Sequence, residues 1–199
     1  PEEISFSEFS GKTIAIDSVF WFKRYYNAVT KSRFPQEVRV PVEGHNISQT
    51  LSLLVSVPDL LRNNITPVFF FDPIKSHRLP TNGAKIPYLE HSPKSNPVWQ
   101  FPYLQRSTEL VLKYLDISYY EAPRDAEADA SNYVKRGEAD IVVSHDYDTL
   151  LYQAPVTVRK ERNSTTWEKI SLEKVLEQNK INYRELLDIA ILTGTDEVM

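Results

Sequence analysis

The chain has 199 residues, 41% of them hydrophobic and 25% charged, with a formal net charge of −4. That length and balance describe a globular domain with a sizeable core. No run of about 18 apolar residues is present to cross a membrane, and with no cysteine there is neither a disulfide nor a Cys-bound metal.

The opening stretch, PEEISFSEFS, has no signal-peptide pattern. Together with the missing cysteines, this predicts an intracellular protein. TIAID (13–17) is a short β-branched run that ends on a charge. SVFWFKRYYNAV follows as a helix with Ser18 placed to cap it. Its aromatic cluster FWFKRYY reads mainly as core, with base stacking as the lesser alternative. Residues 30–46 read as a loop. ISQTLSLLVSVPDLLRNN has helical spacing, and Pro58 is expected to kink or break it. ITPVFFFD (65–72) is a second buried strand, ending on Asp72. Residues 73–102 hold six prolines and read as loop or mobile segment, with Lys75, His77 and Arg78 solvated.

Periodicity then resumes. LQRSTELVLKYL is helical, ISYYEA extended, and DAEADASNYVKR helical with Gly137 just past its end. ADIVVSHD is a third buried strand. Short strands are expected around 155–160 and 166–170, then helices over 172–179 and 183–193. Asn182 and Glu185 make a capping box for the last. Strands alternating with helices predict an α/β fold with a mainly parallel central sheet flanked by helices. Residues 1–199 read as one domain, in which an N-terminal half (residues 1–72) and an internal half (residues 103–199) are joined by the Pro-rich segment 73–102. No internal repeat is visible.

Three apolar strands end alike: Asp17 after TIAI, Asp72 after VFFF and Asp146 after IVVSH. In a parallel sheet the carboxyl ends share one edge, where ligands bind. Asp148 lies two residues past Asp146, so an extended backbone puts both on one side. Asp125 and Glu127 open a helix, where the macrodipole favours carboxylates. Asp196 follows the last helix. Taken singly, an aspartate after a strand is more often a cap or turn residue. Asp125 alone reads as a cap, and Asp129 as a solvated face or an outer-shell helper. Taken jointly, the acids are hard to explain as caps. At 4 Å each like-charge pair repels by roughly 4 kcal/mol at an effective dielectric near 20. Hard cations relieve that repulsion. The four histidines show no i,i+4 pairing, and an all-oxygen donor set suits Mg²⁺ or Mn²⁺. Two such ions about 3.5–4 Å apart suit in-line attack on a phosphodiester. Setting the seven carboxylates aside turns the net charge of −4 into +3, which does not forbid a polyanionic substrate.

The motifs resemble those of the flap endonuclease (XPG-like) family of structure-specific 5′ nucleases, especially archaeal members, over nearly the whole chain. FSEFSGKTIAID resembles the segment with the first metal-binding aspartate, and TPVFFFD the P-V-x-V-F-D-G strand. YYEAPRDAEADASNYVKRGEADIVVSHDYDTLLYQAP is similar to E-A-P-x-E-A-E-A followed by S-x-D-Y-D-x-L-L-Y. LLDIAILTGTD resembles I-D-I-x-I-L-x-G-T-D-Y. The resemblance implies a PIN-like 5′-nuclease domain with two Mg²⁺ (or Mn²⁺). Their ligands, and the catalytic residues, are Asp17, Asp72, Asp125, Glu127, Asp146, Asp148 and Asp196. Asp125 stands where the family has Glu, one methylene longer. The expected activity is metal-dependent endo- or exonuclease cleavage of DNA, at flapped, branched or 5′-ended structures, in replication and repair. The alternatives are a non-catalytic nucleic-acid-binding scaffold on the same fold and a PIN-type RNase. The partner is therefore DNA or RNA, not a membrane.

Departures from the family pattern bear on substrate grip. Pro73 follows Asp72 where the family has Gly, and the Pro-rich segment replaces a basic helical arch. Lys75 and Arg78 stand nearest to the arch's Lys and Arg as substrate-binding residues. The family's base-stacking Tyr falls at Lys23. The family's N-terminal G-I-x-G-L is missing. The chain stops at Glu197-Val198-Met199, where the family continues with a helix-two-turn-helix and then a sliding-clamp-binding tail. A weak, salt-sensitive grip on duplex is the expectation. Oligomeric state is not legible.

Overall fold

The computed structural model describes residues 1–22, 48–73, 101–160 and 166–194. Its centre is β2 (Thr13–Asp17), the TIAID run. One side of β2 pairs in parallel with β3 (Thr66–Phe71) and the other with β5 (Ile141–Val143). Outward from β3 lies β4 (Tyr119–Glu121), and outward from β5 lies β6 (Val156–Arg159), both parallel. β7 (Trp167–Ser171) then runs antiparallel to β6, and β1 (Glu2–Ile4) antiparallel to β7. The seven-stranded order is β1-β7-β6-β5-β2-β3-β4. The predicted α/β fold and mainly parallel sheet stand, and the antiparallel edge with β1 is added to them.

The central strands β2, β3 and β5 are buried on both faces, as a parallel sheet requires. Alternation sorts their side chains into two clusters. Ile14, Ile16, Phe69 and Phe71 face large apolar groups, among them Trp21, Leu53, Leu112 and Trp167. Ala15, Val68, Phe70 and Val142 face a cluster built on Ala126, Ala130 and Ala154. The small residues on this second face matter for the site. Ala126 and Ala130, one turn apart on α3 (Ala126–Lys135), let that helix approach β2 closely. Gly137, at φ 76°, turns the chain just past its end, as expected.

Residues 18–22 are helical, with Phe20, Trp21 and Phe22 buried. Trp21 Nε1 donates to Ser56 Oγ at 2.9 Å, so these members of the aromatic cluster are core. Pro58 does not break its helix. α1 (Ser48–Arg62) runs straight past it in sequence. Leu53, Val57 and Leu60 are buried on both sides of Pro58 and hold the helix down. The carbonyl that Pro58 cannot bond is that of Leu54, whose side chain is half exposed. α2 (Phe101–Tyr114) follows the Pro-rich segment, which lies outside the described residues. The last helices come where periodicity placed them, α5 (Leu172–Asn179) and α6 (Tyr183–Thr193). The Asn182–Glu185 capping box is formed in both directions. Between β5 and β6 lies a one-turn helix, α4 (Asp148–Leu151). Among the described residues no helix is long and apolar enough to cross a membrane.

Candidate functional site

Sequence order runs from β2 to β3 and β4 in one direction, then back across β2 to β5 and β6 in the other. The reversal lies between β2 and β5, and at such a point the carboxyl edge is where an α/β sheet ordinarily takes its ligand. Asp17 is the last residue of β2, Asp72 follows β3, and Ser144 to Asp146 follow β5. The N-terminus of α3 brings Asp125 and Glu127 over the same edge.

Asp17 is buried, and its Oδ1 accepts from Val19 N at 2.9 Å. Burial and then the charge of Asp72 push its carboxyl up to about 7, the amides of Phe20 and Val19 pull it down, and Asp125 raises it further. Glu127 is half-buried. Burial, then Asp17, push its carboxyl up to about 9; the Ser144 hydrogen bond opposes this, and Asp146 and Asp125 add to it. Five of the predicted acids thus act on one another. Asp72 Oδ1 accepts from Ala126 N at 3.0 Å, which ties the end of β3 to the start of α3. Asp125 is the N-cap of α3, accepting from Ala128 N at 2.8 Å. It is a cap and a member of the acidic group at once.

Asp146 and Asp148 differ from expectation. Tyr147 between them is helical, at φ −82° and ψ −10°, so the chain is not extended there and the alternation argument fails. Asp148 opens α4, half-buried, while Asp146 is exposed. Asp148 is not among the charges acting most strongly on Asp17 or Glu127. The helical turn comes from the short polar step between β5 and β6, where Thr149 Oγ1 donates to the Asp146 carbonyl at 3.2 Å. Asp129, also half-buried, is raised by burial, lowered by Arg136 and raised by Asp125. Asp196, Lys23, Lys75 and Arg78 lie outside the described residues.

Sequence reasoning missed Ser144. Its buried hydroxyl donates to Glu127 Oε1, lies 3.5 Å from Asp17 Oδ2 and accepts from Asp146 N at 3.2 Å. A signal for it was present. Ser144 has the same parity as Val142, which packs on the α3 face, and Glu127 is on α3.

Among the described residues no three Asp, Glu or His side chains form a closed ligand set for one ion. The donor chemistry nonetheless fits a hard divalent cation. The donors are all oxygen, and the strongest influences on the two raised carboxyls are burial and other carboxylates. A protonated Glu127 held by the Ser144 hydroxyl is what such a cluster adopts without a cation.

Comparison with known proteins bears on the family and the fold. The family pattern described as the XPG I-region matches residues 116–196. A flap endonuclease 1 from Haloquadratum walsbyi is 30% identical over 98% of this chain, which spans 65% of that relative's length. The solved flap endonuclease-1 of Methanococcus jannaschii superposes with a TM-score of 0.76 at 30% identity, covering 98% of this chain and 68% of that one. A Holliday junction-resolving GEN1, solved with product DNA, Mg²⁺ and Mn²⁺ ions, shares the fold with a TM-score of 0.65 at 18% identity, over 97% and 43% of the two chains.

Proposed function

The chain belongs to the flap endonuclease family of structure-specific nucleases, and on that premise we propose that it hydrolyses phosphodiester bonds in DNA with the help of divalent metal ions. The substrates are flapped, branched or 5′-ended structures of replication and repair inside the cell. The observation that carries this reading is the meeting of Asp17, Asp72, Asp125, Glu127 and Asp146 at one sheet edge. Two of their carboxyls are held far above the usual range. Crowding of this kind costs stability and makes chemical sense for cation binding.

Asp17, Asp72, Asp125, Glu127, Asp146, Asp148 and Asp196 would hold two Mg²⁺ or Mn²⁺, directly or through water. When bound, such ions supply an activated water and stabilise the leaving oxygen. The chain does the rest. Asp17 and Glu127 would hold such ions as carboxylates, their protons passing to solvent. The Ser144 hydroxyl then donates to an ionised Glu127 and keeps it beside Asp17. Ala126 N turns the Asp72 carboxylate toward α3, and the Asp125 cap holds that helix end in place. No protein nucleophile is required.

The test is cleavage of labelled single-strand, blunt-duplex, 5′-flap and bubble substrates, in DNA and RNA, with and without Mg²⁺. The expected outcome is Mg²⁺-dependent cutting of flapped or 5′-ended DNA. Asp17→Asn and Asp148→Asn should lose more than about 100-fold, beyond what an outer-shell partner costs. Equal degradation by wild type and Asp148→Asn sinks the proposal, and preferential RNA cutting replaces it with the RNase reading.

A further inference from the structure

Among the buried polar side chains on α2 are Gln105, 3% exposed, and Glu109, 5% exposed. Sinking an amide and a carboxylate one turn apart is costly unless their polar atoms are used. Here they are used in series. Gln105 Nε2 donates one hydrogen to the Asp72 carbonyl at 3.1 Å and the other to Glu109 Oε1 at 3.0 Å. Glu109 Oε2 accepts from Arg106 at 2.6 Å. Arg106 reaches on to Glu121, the last residue of β4, at 3.2 Å.

The end of this series is significant. Ala122 N donates to the Phe71 carbonyl at 2.8 Å, at the end of the β3–β4 pairing. β3 ends at Phe71, so the Asp72 carbonyl lies just beyond the strand. Gln105 supplies the donor that the sheet no longer provides. With Ala126 N on its carboxylate, Asp72 is fixed at both its backbone and its side chain.

We propose that Gln105 is a positioning residue for Asp72: its amide, oriented by Glu109, sets the backbone of Asp72 so that the carboxylate meets the metal ions. The proposal rests on the metal-dependent reading of the site. If Gln105 merely satisfied a strand-end carbonyl, its loss would lower stability without acting through Asp72.

A double-mutant cycle separates the two. Mn²⁺ binding to the full chain is followed by electron paramagnetic resonance for wild type, Gln105→Met, Asp72→Asn and the double variant. Gln105→Met should weaken the tightest Mn²⁺ binding about tenfold and have no further effect on an Asp72→Asn background. Glu109→Gln, which keeps an acceptor for the Gln105 amide, should stay within about twofold of wild type. Wild-type binding by Gln105→Met overturns the proposal, as does equal weakening in both backgrounds. Wild-type binding by Asp72→Asn removes Asp72 from the ligand set and takes the proposal with it. Circular dichroism checks folding. Should Gln105→Met not fold, Gln105→Asn, one methylene short of the Asp72 carbonyl, is read by the same criteria.

Discussion

Without metal, Asp17 and Glu127 work against folding as the solution becomes more basic. Each has a folded-state carboxyl held above its ordinary value, at about 7 against 3.8 and at about 9 against 4.5. Between those limits the native state binds more protons than the unfolded chain, so stability falls as pH rises. Below about pH 4 the penalty is absent. The metal-free melting temperature should therefore drop between about pH 5 and about pH 8, and Glu127→Gln should flatten that slope. Saturating Mg²⁺ should flatten it too, because binding replaces the protons. A metal-free wild type whose melting temperature is level across this range contradicts the assignment. Asp125 allows a cleaner dissection. Asn caps helices as well as Asp does, so Asp125→Asn should keep its melting temperature to within a few degrees and lose nuclease activity. Asp125→Ala should lose both. Thermal melts and flap cleavage measured on both variants give the answer.

At the level of elements, legibility followed the length of the apolar run. TIAI and VFFF are long, β-branched or aromatic, and buried on both faces, so their strands and the acids after them could be read directly. β1 could not. Glu2, Glu3 and Ile4 give one buried side chain, and the strand exists because β7 offers it an edge. The helical turn at Tyr147 was equally hidden, since Thr149 organises it through a contact to the Asp146 carbonyl and through Thr157 on β6. Pro58 misled for the opposite reason, because tertiary burial of Leu53, Val57 and Leu60 overrides a local breaker. Buried polar groups such as Ser144 and Gln105 were the least legible. Their meaning comes from partners far away in sequence, 17 to 127 residues for Ser144 and 33 for Gln105.

Across the whole molecule, burial is graded from the middle of the sheet outward. β2 has neighbours on both sides and both faces covered, whereas α5 and α6 contain no fully buried residue. Ile191 and Leu192 on α6 are 65% and 85% exposed. Opening free energies should follow the same gradient. In native-state hydrogen exchange, the amides of Ala15 and Ile16 should exchange only on global unfolding. Those of α6 should exchange well before it, apart from the first turn that its capping box protects. Uniform protection across both would contradict the gradient.

The meeting of β2 and β5 has a consequence for how the protein comes into being. Ser144 and Asp17, which face each other there, are 127 residues apart. A chain leaving the ribosome N-terminus first can pair β2 with β3 early, and at that stage it holds Asp17 and Asp72 but neither Glu127 nor Asp146. Glu127 and Asp146 join Asp17 and Asp72 only when α3 and then β5 are added to the sheet. An unfinished chain therefore carries only part of the acidic cluster until β5 has docked against β2.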